Sequence, residues 1–346
     1  MKHERFVWFF VALLIIAGIV VVTWPQVLEE LKIQASYASE ALLPQPVKTL
    51  FVGDIMLDRN VAVHARAVGD EAFFAGVRDL FSGKDLLIGN LEGAITDNPS
   101  IAQIDHSTLR FTFDPHFAQL LADVGFDAFS SANNHALDFG EDGYQQTRAY
   151  LVAVGIAPFG SPLNNEHLAT SLAVGDKQIC LVGYMQLFNP DPTSVIAKIK
   201  EIRSSCDYII VMSHWGVEYQ HAPTAAQQDL AHQFIDAGAD VIIGSHPHVV
   251  EPLEIYKNKA IFYSLGNFLF DQSFSPQVKR GLTVQIDFES SKTTFTLVPV
   301  NTYEEVSIAA TTTAKAVLED VVTQNLPEDI ASSILKTGSF ELDKSE

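Results

Sequence analysis

This chain of 346 residues is poor in several things, and each shortage narrows what it can be. Cysteine occurs only twice, at Cys180 and Cys206, too few for a disulfide-built framework and without metal-site spacing. Both lie in or beside apolar strand-like runs, QICLVGY and SSCDYIIVM. Two buried free thiols are therefore expected, with a single bridge as the alternative. Basic residues are also scarce. There are 22 Lys and Arg against 42 Asp and Glu, a formal net charge of −20. A surface that negative repels nucleic acid and anionic lipid, which argues against DNA or RNA as the main partner. An anionic ligand is still compatible where bound cations or a local Arg and Lys cluster invert the field inside a cleft. There is no internal repeat and no low-complexity tract. Hydrophobic residues, in contrast, make up 47%, which excludes a disordered chain. The length suits one large α/β domain, or two small ones, with a well-buried core.

The N-terminus sets an address. Residues 1–5, MKHER, precede FVWFFVALLIIAGIVVVTW at 6–24, a run without charge that is long enough to cross the ~30 Å hydrocarbon layer as a helix. Trp8 and Trp24 stand near its ends, where interfacial aromatics belong, and Lys2 and Arg5 keep the N-terminus in the cytoplasm. A cleaved signal peptide would have a shorter apolar region with a small-residue site close behind it. Here the nearest such site, around Ala35 to Ala38, is remote, so the expectation is an uncleaved single-pass anchor in the lipid bilayer. The main domain then lies outside the cell membrane. Residues 25–47 read as a spacer whose prolines at 44 and 46 mark an extended link.

From Lys48 a strand–helix rhythm begins. KTLFVG, DLLIGN, DAFSSA, QICLVGY, DYIIVMS and ADVIIGS are short apolar runs that mostly end at Gly, Asn or Ser. Between them lie helical stretches, PHFAQLLADVG, EDGYQQTRAYLVAVG, PTSVIAKIKEIRSS and TAAQQDLAHQFIDAG. This order predicts parallel strands covered by helices. After Glu251 the runs PLEIYKN, AIFYSLGN, LTVQIDF and TTFTLVPV have short connections, which suits antiparallel pairing. The expected domain is a two-sheet α/β sandwich over 48–301, followed by a polar, helix-leaning tail at 302–346.

Polar residues collect where the predicted strands end, the place where open α/β sheets bind ligands. Asp54 follows Gly53, and alone could be an ordinary helix N-cap; Asp58 and Arg59 could be a surface pair. Asn90 and Glu92 flank a leucine, two apart and so on one face. FSSANNHALDFGEDG gathers two asparagines, His135 and Asp138. His214 ends an apolar run, with Glu218 and His221 soon after. VIIGSHPHVVEP sets His246 and His248 on either side of Pro247, which restricts the backbone and is expected to hold them extended. IFYSLGNFLFDQ adds Asn267 and Asp271. Carboxylates and neutral imidazoles repeated at strand ends are ligands for Zn, Mn or Fe. Two such ions bridged by Glu92 could grip a phosphoryl or similar group.

GDIMLDR (53–59), NLE (90–92), SANNHALDFG (131–140), SHWGVEY (213–219), GSHPHVVEP (244–252) and YSLGNFLFDQ (263–272) resemble the CapA/PgsA family of poly-γ-glutamate capsule-synthesis proteins. That family is similar to the calcineurin-like metallophosphoesterases. The resemblance spans roughly residues 48–290. It implies a four-layer α-β-β-α sandwich of two mixed sheets, with a transmembrane helix before it. It also implies roles. Asp54 would bind one divalent ion, Glu92 would bridge two, Asn134 and His214 would bind the second, and His246 and His248 would bind one each. His135 would act as general acid or stabilise the transition state, and Arg59 and Asn267 would line the substrate side. The phosphoesterase pattern has Asp-x-His in its first motif, whereas Met56 stands at the third position here, so one ligand is lost and the centre holds one ion or two. Two functions follow. One is a metal-dependent hydrolase of a phosphoester or a γ-glutamyl amide. The other is a non-catalytic subunit that guides an anionic polymer such as poly-γ-glutamate, beside membrane synthase and export subunits.

Overall fold

The structure is a computed structural model that describes residues 46–344, except 106, 324 and 325, together with Glu29. The apolar run at 6–24 lies outside the described residues. Among the described residues, no helix is long and apolar enough to cross a membrane.

The first strands are β1 (Val47–Ile55), β2 (Leu86–Leu91), β3 (Ala94–Ile95), β4 (Thr112–Phe113), β5 (Ala128–Ser130) and β6 (Ala157–Phe159). Next come β7 (Ala169–Val174), β8 (Lys177–Met185), β9 (Tyr208–His214), β10 (Val241–Ser245), β11 (Leu253–Tyr256) and β12 (Lys259–Phe262). The last are β13 (Asn267–Leu269), β14 (Arg280–Phe288), β15 (Lys292–Asn301), β16 (Ser307–Ile308) and β17 (Ser339–Asp343). Two large mixed sheets result, and β3 pairs with β4 apart from them. One runs β16-β15-β14-β1-β2-β5-β6, with β13 beside β1 and β17 beside β15. The other runs β11-β12-β10-β9-β8-β7. All six apolar runs of the strand–helix half became strands, and their pairings β1–β2, β2–β5, β8–β9 and β9–β10 are parallel. The β11–β12 and β14–β15 pairs are antiparallel, as the short connections required.

Side-chain alternation along the strands makes the layers. Phe51 and Ile88 face residues such as Ile210, Met212 and Ile243 of the second sheet in one core. Their neighbours Leu50, Val52 and Leu87 point the other way, onto Phe117 and Leu121 of the helix His116–Val124. In the second sheet, Ile209, Val211 and Ile242 face Val195 and Ile199 of the helix Thr193–Ile202 and Phe234 of the helix Ala225–Ala237. Period-2 strands buried on both faces therefore stack as helix, sheet, sheet, helix.

Two differences from the sequence reading have physical reasons. The segment after residue 302 carries the helices Thr311–Val321 and Glu328–Thr337 but ends in a strand, since Phe340 and Leu342 alternate with polar residues and join the core between the sheets. The cysteines are not free thiols. Cys180 in β8 and Cys206 just before the adjacent β9 form a disulfide, with Cα atoms 5.9 Å apart. Neighbouring parallel strands brought two residues 26 apart in sequence into bonding range, so one pair sufficed without a framework.

Candidate metal centre

The strand ends of both sheets converge. Asp54 lies in β1, Glu92 follows β2, Asn134 and His135 follow β5, His214 ends β9, and His246 and His248 follow β10. Two glycines make the approach possible. A Cβ on Gly53 would lie 1.9 Å from the Gly266 carbonyl oxygen, and one on Gly244 would lie 1.8 Å from that of Tyr263. β1 is also irregular between Phe51 and Asp54, which aims the Asp54 carboxylate at the junction of the sheets.

The donors form overlapping sets. Ligand atoms of Asp54, Glu92 and His248 lie within 4.8 Å of one another, and so do those of Glu92, His214 and His246. Glu92 belongs to both. Asn134 Oδ1 sits 2.8 Å from His214 Nε2, beside the second set. Glu92 is fully buried, yet neither of its carboxylate oxygens has a hydrogen-bond partner, and buried His246 Nδ1 has none either. Such unpartnered atoms are costly in a dry site unless a cation joins them. The donor chemistry, imidazole and carboxylate with an amide oxygen, fits a divalent transition metal.

Electrostatics point the same way. Burial pushes the Glu92 carboxyl well above its usual range, although His248 opposes this. Burial, reinforced by His246 and His248, holds His214 well below the usual imidazole value, and burial with His248, against the opposing charge of Asp54, lowers His246 to about 4. Both rings are thus neutral at pH 7, the form in which an imidazole can hold a cation. Burial alone would also lower His248, but the charges of Glu92 and Asp54 outweigh it and raise the ring to about 9.

A second layer orients these groups. Asn90 Nδ2 donates to Asp54 Oδ1 at 2.7 Å, and Asn133 Nδ2 donates to Asn90 Oδ1 at 3.1 Å. His135 Nδ1 lies 2.8 Å from Asp138 Oδ2, its ring stacks on Phe111 at 4.3 Å, and its Nε2 faces Glu92 Oε1 at 4.0 Å. Arg59 pairs with Asp271, lies over the rings of Phe111 and Phe270, and lines a cavity of about 430 Å³ with His135, His248 and Tyr219.

Three expectations need correction. Asn267 is not among the residues that line the cavity. It is fully buried, its Nδ2 donates to Val278 O and Gln272 Oε1, and its Oδ1 lies 2.9 Å from His248 Nδ1. The histidines of SHPH are not extended, because His246 and His248 have φ of 94° and 59°. Two non-glycine residues so close together in the left-handed region mark a backbone held by its surroundings. Asp58 is no surface residue. It is buried, caps the helix Arg59–Val68, and accepts from Ser100, Gln103 and the Thr112 backbone. Met56 is buried in the outer core, with its sulfur accepting the Asp58 N–H. Asn90, Asn133, Asp138 and Asp58 all stood inside the quoted motifs, but only their partners reveal what they do.

Comparison with known proteins agrees with these motifs. The chain is 31% identical over 272 residues to the PGA biosynthesis protein CapA of Bacillus subtilis, covering 73% of this chain and 71% of that one. It is 29% identical over 276 residues to the capsule biosynthesis protein CapA of Bacillus anthracis, covering 73% and 67%. A hypothetical protein from Thermus thermophilus gives a weak structural likeness, with a TM-score of 0.45 at 17% identity over 76% of this chain and 98% of that one. The family model for the bacterial capsule synthesis protein PGA_cap matches residues 48–272, a span that holds every residue of the metal cluster, and the chain belongs to that family.

Proposed function

We propose that this chain is a membrane-anchored, extracytoplasmic, metal-dependent hydrolase of capsule polymer synthesis, acting on an anionic substrate at the strand-end cluster. The observation that carries the reading is the His135–Asp138 pair beside Glu92. With Nδ1–H held by the Asp138 carboxylate, His135 presents Nε2 toward the cluster, where it can give or take a proton at a leaving atom. A divalent ion bound by Asp54, Glu92, Asn134, His214, His246 and His248 would supply Lewis acidity and a nucleophilic water near neutral pH. Arg59, packed against the rings of Phe111 and Phe270 at the cavity wall, offers a guanidinium to a carboxylate or phosphoryl group. The names of the two Bacillus relatives support a role in PGA and capsule biosynthesis, where the chain would work beside synthase and export subunits. The Cys180–Cys206 bridge supports an oxidising compartment outside the cytoplasm, in keeping with the apolar run at 6–24.

One observation favours a non-catalytic, polymer-guiding reading instead. Met56 is packed in the core, which leaves Asp54, Glu92 and His248 as a three-donor set. The two readings part on His135→Ala. Full-length protein loaded with Mn²⁺ should cleave a phosphodiester or polyglutamate substrate, and the variant should bind metal normally while losing 10²–10⁴-fold in rate. If loaded wild type cleaves neither substrate and the variant still supports polymer production in cells, the hydrolase reading fails and the guiding role stands.

A further inference from the structure

We infer that Glu218, in the turn after β9, is an additional metal ligand that supplies the fourth donor to the ion held by Asp54, Glu92 and His248. The inference rests on the metal centre proposed above. Its first support is geometric. A Glu218 carboxylate oxygen and ring nitrogens of His246 and His248 lie within 4.8 Å of one another. An exposed carboxylate near histidines is by itself unremarkable, so the second support matters more. His246 is buried, and its Nδ1 has no partner in the protein, so the group that Glu218 faces is itself waiting for a ligand.

The turn that carries Glu218 is fixed to the histidine loop. The Tyr219 N–H donates to the Pro247 carbonyl at 2.8 Å, between the two histidines, and the Tyr219 ring stands 6.0 Å from that of His248. Gly216 N–H is tied to Gln186 Oε1 at 2.9 Å on the other side. Gly216 and Tyr219 have φ of 83° and 64°, so the segment reverses tightly on both sides of Glu218. A tyrosine held in that region is paid for by its surroundings, here by the bond to Pro247. His248 belongs both to the set with Glu218 and His246 and to the set with Asp54 and Glu92, so Glu218 meets the Asp54 side of the centre through the His248 ring. That side has three donors, Asp54, Glu92 and His248, and the nearby Met56 sulfur is engaged by the Asp58 N–H in the core. Glu218 would approach from the cavity, whose wall it forms with His135 and Arg59. A hard carboxylate would then stand where a neutral donor is absent, which favours Mn²⁺ or Fe²⁺ over softer ions.

The test is a Mn²⁺ titration of the chelator-stripped full-length chain, followed by electron paramagnetic resonance and calorimetry. Wild type should take up two ions per chain and show the signal of a spin-coupled pair. Glu218→Gln, at an exposed position that the fold does not need, should lose the coupled signal and weaken one site at least tenfold. Asp54→Asn should weaken the same site, and the double variant should lose no second ion beyond that. Glu305→Gln, an exposed carboxylate 2.7 Å from His64 Nε2 and away from the centre, should bind as wild type does. Glu218→Gln with wild-type stoichiometry and affinity overturns the assignment of Glu218 and leaves the centre intact. Wild type that binds no Mn²⁺ overturns the centre and this assignment with it.

Discussion

Asn267 Oδ1 lies 2.9 Å from His248 Nδ1, and this contact decides which face of the imidazole meets the metal cluster. An amide oxygen can only accept, so Nδ1 carries the proton and Nε2 is left to face Glu92, 3.6 Å away. Removing such an orienting partner costs metal affinity even though it touches no ion. Asn267→Leu should weaken divalent-ion binding about 10–100-fold. It should also lower stability by about 1–3 kcal/mol, because the buried His248 Nδ1–H loses its amide acceptor. Calorimetric titration measures the first and denaturant melts the second. Unchanged affinity in a folded variant would mean that His248 is oriented by other contacts.

Glu92 should show opposite effects with and without metal. Its two carboxylate oxygens are buried and unpartnered, so in a chelated sample the charge is a liability. Glu92→Gln should raise the Tm of the stripped chain and abolish the increase that Mn²⁺ gives wild type. That increase corresponds to about 2.7 kcal/mol at an ion concentration of 100 Kd. Thermal melts in EDTA and in excess Mn²⁺ read both. A variant that keeps the metal-dependent increase would remove Glu92 from the bridge position.

Much of this was legible from the chain because the informative residues sit at strand ends. Asp54, Glu92, His214, His246 and His248 each follow an apolar run short enough to be a buried strand, and parallel strands deliver their ends to one place. What the sequence could not convey is direction. Asn267 and Arg59 lie in equally polar motifs, yet one side chain turns inward to hold His248 and the other lines the cavity. The left-handed backbone of His246 and His248 was hidden because Pro247 suggests extension on both sides. The disulfide was only the alternative to free thiols because it depends on which strands are neighbours, and that is a property of the whole second sheet. β17 was missed because five residues near a chain end give a weak periodic signal against a helical background.

The Cys180–Cys206 bridge closes a loop of 26 residues within the second sheet. Chain-entropy reasoning puts the stabilisation from such a loop at about 3 kcal/mol. Cys180→Ala with Cys206→Ala should therefore lower unfolding free energy by roughly 2–4 kcal/mol, and reductant should do the same to wild type. Denaturant melts with and without reductant check this. Because the bridge lies at the end of the β8–β9 pair away from His214, metal binding should survive in the folded variant.

Glu251 gives the pH-dependent prediction. It is buried, Oε2 accepts from Gln227 Nε2 at 2.8 Å, and Oε1 has no partner. Burial raises its carboxyl from the ordinary 4.5 to about 8, against a smaller opposing effect of the Gln227 bond. The folded state therefore holds this proton more tightly than the unfolded state. No stability is lost below pH 4.5, the loss grows as pH rises, and it is complete above about 8. Each pKa unit is worth about 1.4 kcal/mol, so the total is a few kcal/mol. Glu251→Gln keeps an oxygen for Gln227 and carries no charge. It should be more stable than wild type by a few kcal/mol at pH 8 and nearly equal to it at pH 5. Urea melts of both proteins at the two pH values, at one fixed metal concentration, test this. A difference that is the same at both values would mean that Glu251 titrates normally, and that the gap beside Oε1 is filled by a donor such as water.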